Sequence, residues 1–340
     1  MKTRNAFVCL SITLSLLIGC VETVGSPSAP RAEASSDVML SAFARGSAFN
    51  PSACLVPTGR EAALPQVFVT PDFYTGATEV GDEVRVSAFK TYFMRVSSRA
   101  HVDEQAATTV RAIILQTAQE DRLRWGGPWR ENSSNVFFFT TSALMTVAVE
   151  YYHQRERFSQ EEQDVIEEYL LRRWRQLSQT TVLSAPLIDN KYAKYAAFSY
   201  AVGLATGNEA AKRAGVRAYQ RVIREMRPDG SNPMDSTRAG SAIHYTNLNV
   251  AALVTTAELA AIDGVDLFSF QGRNGGIDQA IDFLIAATRN PELISGYARE
   301  DGSGFQGYSP SNQDVRWPST DMAAWVAIYA RRFPNSERTQ

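Results

Sequence analysis

The segment DNKYAKYAAFSYAVGLATGNEAAKRAGVRAYQRVIREMRP, residues 189–228, decides the fold of this chain. Its apolar residues recur every three or four positions, which is the spacing of one face of a helix. The tripeptide Thr-Gly-Asn at 206–208 ends one helix and caps the next, and Pro228 with the following Asp-Gly stops the second helix. Two helices joined by so short a turn have to reverse direction. The segment therefore predicts an antiparallel helix pair.

The same helical periodicity continues through the chain from about residue 84, and the alternation typical of strands is scarce. The sequence Ser-Gln-Glu-Glu at 159–162 is a capping box that opens a helix ending near Leu177. Further helices are predicted at about 104–122, 135–155, 191–205, 241–263, 275–289 and 319–332. The sequence thus predicts an all-α domain of antiparallel helix pairs. Periodicity alone leaves a bundle, a solenoid and an α/α toroid open.

Composition narrows the classes of partner and cofactor. The chain has 340 residues, and its 34 Lys and Arg against 36 Asp and Glu give a net charge of −2. A nucleic-acid-binding protein usually has a basic excess, so we expect no nucleic-acid partner. The three cysteines and three histidines are not clustered in the sequence, so we expect no metal and no cofactor. We also expect a monomer.

The N-terminus has the pattern of an export signal. Lys2 and Arg4 precede a short apolar run at 6–18, and the run ends in Leu-Ile-Gly-Cys at 17–20. This ending resembles the bacterial lipobox, in which the cysteine becomes the lipid-bearing N-terminus. A plain cleaved signal or a buried cysteine are the alternatives. We predict lipidation at Cys20.

These features predict the domain organisation and the location of the protein. Residues 1–20 are predicted to be a lipoprotein signal peptide, 21–40 a flexible tether rich in Ser, Pro and Ala, and 41–340 the folded domain. Val21 follows the cysteine, where an Asp would retain a lipoprotein at an inner membrane. We therefore expect an exported lipoprotein, anchored in the outer membrane and facing the periplasm if the source is Gram-negative.

Two polar clusters interrupt the helical pattern. The first is Asp189-Asn190-Lys191-Tyr192, followed by Lys194, at the start of a helix that otherwise reads as core. A helix N-terminus with Asn and Lys offers hydrogen-bond donors to an anion. Alternatively, Asn190 is only a helix cap and the lysines form a solvated face.

The second polar cluster lies between residues 229 and 247 and contains Arg238, His244 and Tyr245. Arg238 and Tyr245 are seven residues apart, close to two helical turns, so one continuous helix would place both on the same face. The alternative is a tyrosine in the core and an arginine on the surface.

At these residues the chain resembles the alginate lyase family, whose members fold as an α/α barrel. The resemblance is most specific at 189–192 and 228–268, and the segment 72–76 is similar to a mobile lid of the family. Trp317 and the segment 325–334 resemble its closing helix. Family members usually read Asn-Asn-His where this chain has Asp189-Asn190-Lys191, so a histidine that helps neutralise the substrate carboxylate is replaced.

The resemblance implies a polysaccharide lyase that cleaves an acidic polyuronate by β-elimination, with alginate and especially polymannuronate as the first candidates. Such an enzyme removes the weakly acidic C5 proton of a uronic acid while the adjacent carboxylate is neutralised. The resemblance assigns Tyr245 as base and acid. Asn190, Lys191 and Arg238 would act on the carboxylate, and a cation beside Tyr245 would help a group with a reference pKa of about 10 to lose its proton. His244 is a weaker catalytic candidate.

Other side chains are candidates for saccharide binding. Aromatic residues can serve as platforms for sugar rings, and basic residues can attract an anionic polymer even when the net charge is negative. The candidates are Tyr74, Trp125, Trp129, Tyr192 and Lys194, with Arg122, Arg124 and Arg130 as further cleft residues. Such Arg and Trp mixtures are also common in simple packing at helix ends.

Three alternative functions stay open at this point. A lyase for a glucuronic-acid polymer is the first, because exchange of His for Lys could accompany a change of sugar. The second is a polysaccharide-binding lipoprotein of the same fold without turnover. The third is a glycoside hydrolase, which needs two carboxylates facing one bond, with Asp189 and Asp235 as candidates.

Overall fold

The computed structural model describes residues 103–123, 134–180, 188–298, 311–319 and 323–336, together with residues 89, 90, 93, 96, 97, 100, 183 and 338. The helices whose bounds it gives are α1 Glu104–Gln119, α2 Ser134–Gln154, α3 Gln160–Ser178, α4 Asn190–Thr206, α5 Glu209–Glu225, α6 Ala242–Ile262, α7 Ile277–Arg289, α8 Glu292–Ser295 and α9 Ala324–Arg332. No strand occurs within these described ranges. The predicted all-α class is confirmed.

The predicted antiparallel pair forms as α4 and α5. Asp189 caps α4 by accepting a hydrogen bond from the backbone N–H of Lys191, and Gly207 ends this helix in the left-handed conformation, with a φ of 67°. Asn208 caps α5 through its side chain, which accepts from the N–H of Ala211. Local capping chemistry therefore sets the turn that the sequence predicted.

Helices α4 and α6 form the centre of the molecule. In α4, 13 of 17 residues are buried, and in α6 16 of 21 are buried. Helix α4 packs against α2, α3, α5 and α6, and α6 packs also against α7 and α9. A helix that is apolar around most of its circumference needs neighbours on all sides. These two helices therefore form an inner layer that the others cover.

The directions of the helices place three N-termini at one end. Trp174 contacts Ser199 and Ser178 contacts Tyr195, so α3 and α4 run antiparallel. Short turns also reverse the chain between α2 and α3 and between α4 and α5. Asp235 joins Asn190 to Asn249 near the starts of α4 and α6, and the Tyr200 hydroxyl in α4 donates to Asp263 just after α6, so these two helices run parallel. Helices α2, α4 and α6 consequently point in the same direction. Their N-termini, which carry partial positive charge, meet at the same end of the bundle.

The membrane-related predictions fall outside the described residues. The predicted signal peptide at 1–20 and tether at 21–40 are not among them. Within the part of the chain that the structure describes, no helix is long and apolar enough to cross a lipid bilayer.

The turn that carries part of the second polar cluster depends on a glycine. Gly230 has a φ of +89°, and a Cβ at this position would lie 2.1 Å from the carbonyl oxygen of Gln279 in α7. We predict that Gly230→Ala lowers the free energy of unfolding by about 3 kcal/mol, because left-handed strain and an overpacked contact add. Chemical denaturation measures this change.

Gly264 provides the matched control. Its φ is +75°, but a Cβ there would meet nothing within 4 Å. Gly264→Ala should therefore cost only the backbone strain, about 1 kcal/mol. Equal losses in the two variants would contradict the role of the contact between Gly230 and α7.

Candidate active site

The N-terminus of α4 gathers one carboxylate and two cations. The Oδ2 atom of Asp189 lies 2.5 Å from the Nζ of Lys191 and 3.2 Å from the Nη2 of Arg238. Its Oδ1 atom accepts the backbone N–H of Lys191 at 3.0 Å. The side chains of Asp189, Lys191 and Arg238 are 15%, 12% and 19% exposed. The three groups thus form a half-buried ion triad at the rim of the helix.

Behind the triad lies a completely buried carboxylate, Asp235. Its Oδ1 atom accepts the backbone N–H of Asn190 at 3.1 Å and the side-chain amide of Asn190 at 3.0 Å. Its Oδ2 atom accepts the side-chain amide of Asn249 at 2.8 Å. Asp235 begins the 3₁₀ turn Asp235–Thr237, so it connects this turn to both central helices.

Burial is the main cause of the unusual titration of Asp235. Burial and the nearby Asp189 carboxylate raise the pKa of Asp235, whereas hydrogen bonds from Asn249 and Asn190 and the charge of Arg238 lower it. Asp189, Asp235, Lys191 and Arg238 together carry no net charge when both carboxylates are ionised. They carry one positive charge when Asp235 is protonated. The net charge of the cluster therefore depends on the protonation of Asp235.

The structure brings Arg238 and Tyr245 together without a continuous helix between them. The helix predicted at about 241–263 agrees with α6, which begins at Ala242, and Arg238 lies before this helix, at a break between two 3₁₀ turns. Ala239 adopts a positive φ of 44° at this break. The Arg238 guanidinium nevertheless lies over the Tyr245 ring, 4.9 Å from its centroid. Tyr245 is partly exposed and so can be reached from outside.

His244 has a different environment from Tyr245. It is 9% exposed, and its ring meets the Tyr245 ring edge-on at a centroid distance of 5.4 Å. Burial lowers the pKa of His244, while the charge of Asp314 raises it and that of Arg316 lowers it. The imidazole is therefore neutral near pH 7.

Lys194 lies one turn beyond Asn190 on α4. Its ammonium is 5.7 Å from the centroid of the Phe138 ring on α2. Burial, with a smaller contribution from the charge of Lys90, lowers the pKa of Lys194 to about 7. An anion placed beside this amine would favour its charged form and raise its pKa again.

Tyr192 is not brought to the Asp189 cluster. Two residues along a helix correspond to about 200°, so Tyr192 faces α5, where the Arg221 guanidinium lies 5.2 Å from its ring centroid. A cavity of about 340 Å³ adjoins it and is also lined by Tyr195 and Arg217. The predicted grouping of Tyr192 with Lys191 is therefore not observed.

The remaining saccharide candidates divide into two groups. Arg122 is buried and forms an ion pair with Glu120, so its charge is already balanced within the fold. The other saccharide candidates lie outside the described residues: Tyr74, Arg124, Trp125, Trp129 and Arg130. The predicted lipidation site, Cys20, also lies outside them.

The sequence reasoning missed several residues that hold the site in place. Gln313 accepts the N–H of Ile243 at 3.3 Å and donates to the carbonyl of Ala239 at 2.7 Å, so it fixes the start of α6. Asn247 accepts from the indole of Trp325 at 2.8 Å. Polar asparagines inside an apolar helix were an available signal, because a buried amide needs partners. Gln313 gave no comparable signal.

The described part of the chain contains no group of three or more His, Cys, Asp and Glu side chains arranged to hold a metal ion. The groups that the site offers are a partly exposed phenol with one guanidinium over its ring, a second cation that shares Asp189 with this guanidinium, and amide donors at a helix N-terminus.

Comparisons with known proteins identify relatives in sequence. The model of the alginate lyase family matches residues 90–294, which is more than half of the chain. A curated polysaccharide lyase of Stenotrophomonas maltophilia (strain K279a) is 30% identical over 135 residues, covering 40% of this chain and 36% of that protein. The match thus spans about a third of the relative's length.

Solved structures share the fold. Alginate lyase A1-III from Sphingomonas species A1 superimposes with a TM-score of 0.65 at 18% identity, covering 93% of each chain. A variant of A1-III with tyrosine replaced by phenylalanine, complexed with a tetrasaccharide, matches with a TM-score of 0.65 at 17% identity over 90% of each chain. An alginate lyase from Bacteroides ovatus gives 0.53 at 15% identity, covering 76% of this chain and 70% of that one. This similarity confirms the predicted α/α barrel (toroid).

Proposed function

Because this chain belongs to the alginate lyase family of polysaccharide lyases, we propose that it cleaves an acidic polyuronate by β-elimination, with alginate, and polymannuronate in particular, as the first substrate. One observation carries the proposal. The Arg238 guanidinium lies over the ring of a partly exposed tyrosine, Tyr245, and also reaches the ion triad at the N-terminus of α4. A proton-transfer group and an anion-binding cluster thus share one cation.

The first task of the reaction is to neutralise the uronate carboxylate. Lys191 and Arg238 supply positive charge at the rim of α4, and the N-terminus of the helix adds its partial charge. One amide hydrogen of Asn190 is donated to Asp235, which leaves the second for the substrate. These donors stabilise the enolate-like charge that develops once the C5 proton is removed.

The second task is proton transfer. Tyr245 takes the C5 proton as a phenolate, and its hydroxyl then returns a proton to the leaving C4 oxygen. The adjacent Arg238 favours the phenolate, because an opposite charge stabilises the ionised form. His244 is neutral and largely buried, so we propose that it supports the Tyr245 ring or contacts the substrate in a secondary role.

The geometry argues against a glycosidase. A hydrolase needs two carboxyl groups facing the scissile bond. Asp235 is 0% exposed and hydrogen-bonded to Asn190 and Asn249, and Asp189 is paired with two cations. A lyase for a glucuronic-acid polymer and a polysaccharide-binding protein without turnover remain the alternatives that an experiment must distinguish.

We further propose that Lys194 binds a second carboxylate of the polymer. It follows Asn190 by four residues, about 6 Å along α4, and α4 begins at the ion triad. Among the described residues, its ammonium has no hydrogen-bond or ion-pair partner. It lies over the Phe138 ring, and the positive charge of Lys90 acts on it. An anionic saccharide would supply the missing counter-charge.

The location of the protein is a separate proposal. The lipobox-like ending at Cys20 supports an exported lipoprotein, anchored in the outer membrane and facing the periplasm if the source is Gram-negative. Fractionation of cells that express a Cys20→Ser variant tests it, since the protein should then leave the membrane fraction.

A panel of polyuronates tests the activity. Purified protein is incubated with polymannuronate, polyguluronate and glucuronan, and the ultraviolet absorbance of the unsaturated product is recorded. We expect a signal with polymannuronate. A signal with glucuronan alone favours a lyase for a glucuronic-acid polymer. Saturable binding without an absorbance change on any polymer indicates a binding protein.

Replacing the proposed base provides the sharpest mechanistic prediction. Tyr245→Phe keeps the ring beneath Arg238 but removes the atom that exchanges protons, so kcat should fall by about 10² to 10⁴ with little change in KM. Tyr195→Phe is the control, because its hydroxyl contacts Ser178 on α3 and its loss should leave turnover near the wild-type level. Near-full activity of Tyr245→Phe would show that another group is the base.

The low pKa of Lys194 predicts a pH dependence of binding. Above pH 7 the free protein holds the amine mostly neutral, so binding of a carboxylate has to take up a proton, and affinity should fall as pH rises from about 7. Lys194→Arg keeps the charge throughout this range and should flatten the dependence. Lys194→Met should bind more weakly at pH 6. Titration calorimetry in buffers of different ionisation enthalpy measures the proton uptake, and its absence would contradict the contact.

A further inference from the structure

Asp189 holds the two cations that the proposed reaction assigns to the substrate. Both Lys191 and Arg238 approach the same oxygen, Oδ2, at 2.5 and 3.2 Å. We propose that Asp189 is a resident counter-ion with which the uronate carboxylate competes, so that this residue sets the affinity of the site for its substrate. The inference rests on the proposed function, because it concerns the binding of a uronate at that same site.

The resident carboxylate cannot simply move away when substrate arrives. Its other oxygen accepts the backbone N–H of Lys191 at 3.0 Å and so caps α4. The cap fixes the carboxylate within reach of both cations. A substrate carboxylate must therefore share Lys191 and Arg238 with Asp189, and each shared cation binds it less strongly.

The net charge of the cluster determines whether the loss of Asp189 strengthens or weakens the binding of an anion. With Asp189 ionised, the cluster it forms with Asp235, Lys191 and Arg238 is neutral or carries one positive charge. An asparagine at position 189 removes one negative charge, so for a given protonation state of Asp235 the net charge of the cluster rises by one. The attraction for an anion increases at short range in a half-buried site, where solvent screens less than in bulk water.

The variant Asp189→Asn tests the inference with little structural disturbance. Asparagine caps a helix as well as aspartate does, so the hydrogen bond to the N–H of Lys191 is retained. We expect the dissociation constant for a polyuronate oligosaccharide to fall about tenfold, with a steeper dependence on salt. Lys191→Met should act in the opposite direction and weaken binding. A merely structural role of Asp189 would instead make both variants bind more weakly.

Asp103→Asn is the matched control. Asp103 caps α1 by accepting the N–H of Gln105 at 2.9 Å, and the neighbouring Glu104 pairs with Arg157 in the turn after α2, at the opposite end of the bundle. This variant changes the net charge by the same amount and also keeps its cap. Its affinity for the oligosaccharide should equal that of the wild type. Equal gains in the two variants would overturn the inference, since a general charge effect would explain both.

The pH profile of turnover gives a second readout. Among the described residues, Arg238 lies over the Tyr245 ring and His244 meets that ring edge-on. Arg238 is in turn paired with Asp189, which also holds Lys191, and its charge acts on Asp235, while the charges of Asp314 and Arg316 act on His244. Without the negative charge of Asp189, the charge of Arg238 is less neutralised and stabilises the Tyr245 phenolate more strongly. The rise of kcat/KM with pH should therefore occur at lower pH in Asp189→Asn than in the wild type.

Binding and turnover separate the two ways in which these ideas can fail. Absence of unsaturated product from the wild type on every polyuronate defeats the proposed reaction, while calorimetry still compares the affinities of the wild type and Asp189→Asn. Unchanged or weaker binding by a folded Asp189→Asn variant, checked by circular dichroism, overturns the counter-ion role even if the wild type is an active lyase.

Discussion

The hydrogen-bond requirement of one buried carboxylate organises the site. Asp235 is 0% exposed and takes its partners from Asn190 on α4 and Asn249 on α6. A buried charge without partners is costly, so these contacts must form together. They fix the 3₁₀ turn at 235–237 against both central helices. The position of Arg238, which follows this turn directly, depends on that arrangement.

The helix N-termini and the two cations of the polar cluster place positive charge at the same end of the bundle. Helices α2, α4 and α6 begin at one end, where their partial positive charges add to those of Lys191 and Arg238. A protein with a net charge of −2 can therefore present a local field that favours an anion. The helix N-termini add partial charge from the backbone to the full charges of the two side chains.

The sequence predicted the features that depend on neighbouring residues, and missed those that depend on distant ones. The pair α4 and α5 was predictable because caps and periodicity lie within the segment 189–228 itself. The start of α6 near residue 241 was predicted as well, but the backbone turn at Ala239 was not, since Gln313 and Asp314, more than seventy residues later, contact Ala239 and Gly240. The contact of Arg238 with Tyr245 was one of two alternatives that the sequence left open, and it forms without the continuous helix that the spacing argument assumed.

The ion triad illustrates why an enzyme for a polyanion benefits from an internal carboxylate. Binding energy that is equal in the ground state and the transition state lowers KM without raising kcat. Two unopposed cations would hold every uronate of a polymer tightly, product included. Asp189 already shares Lys191 and Arg238, so under the proposed function the attraction for a uronate in the ground state is moderate. In the proposed reaction, the charge that develops on the substrate during proton removal still meets both cations, which concentrates the stabilisation in that step.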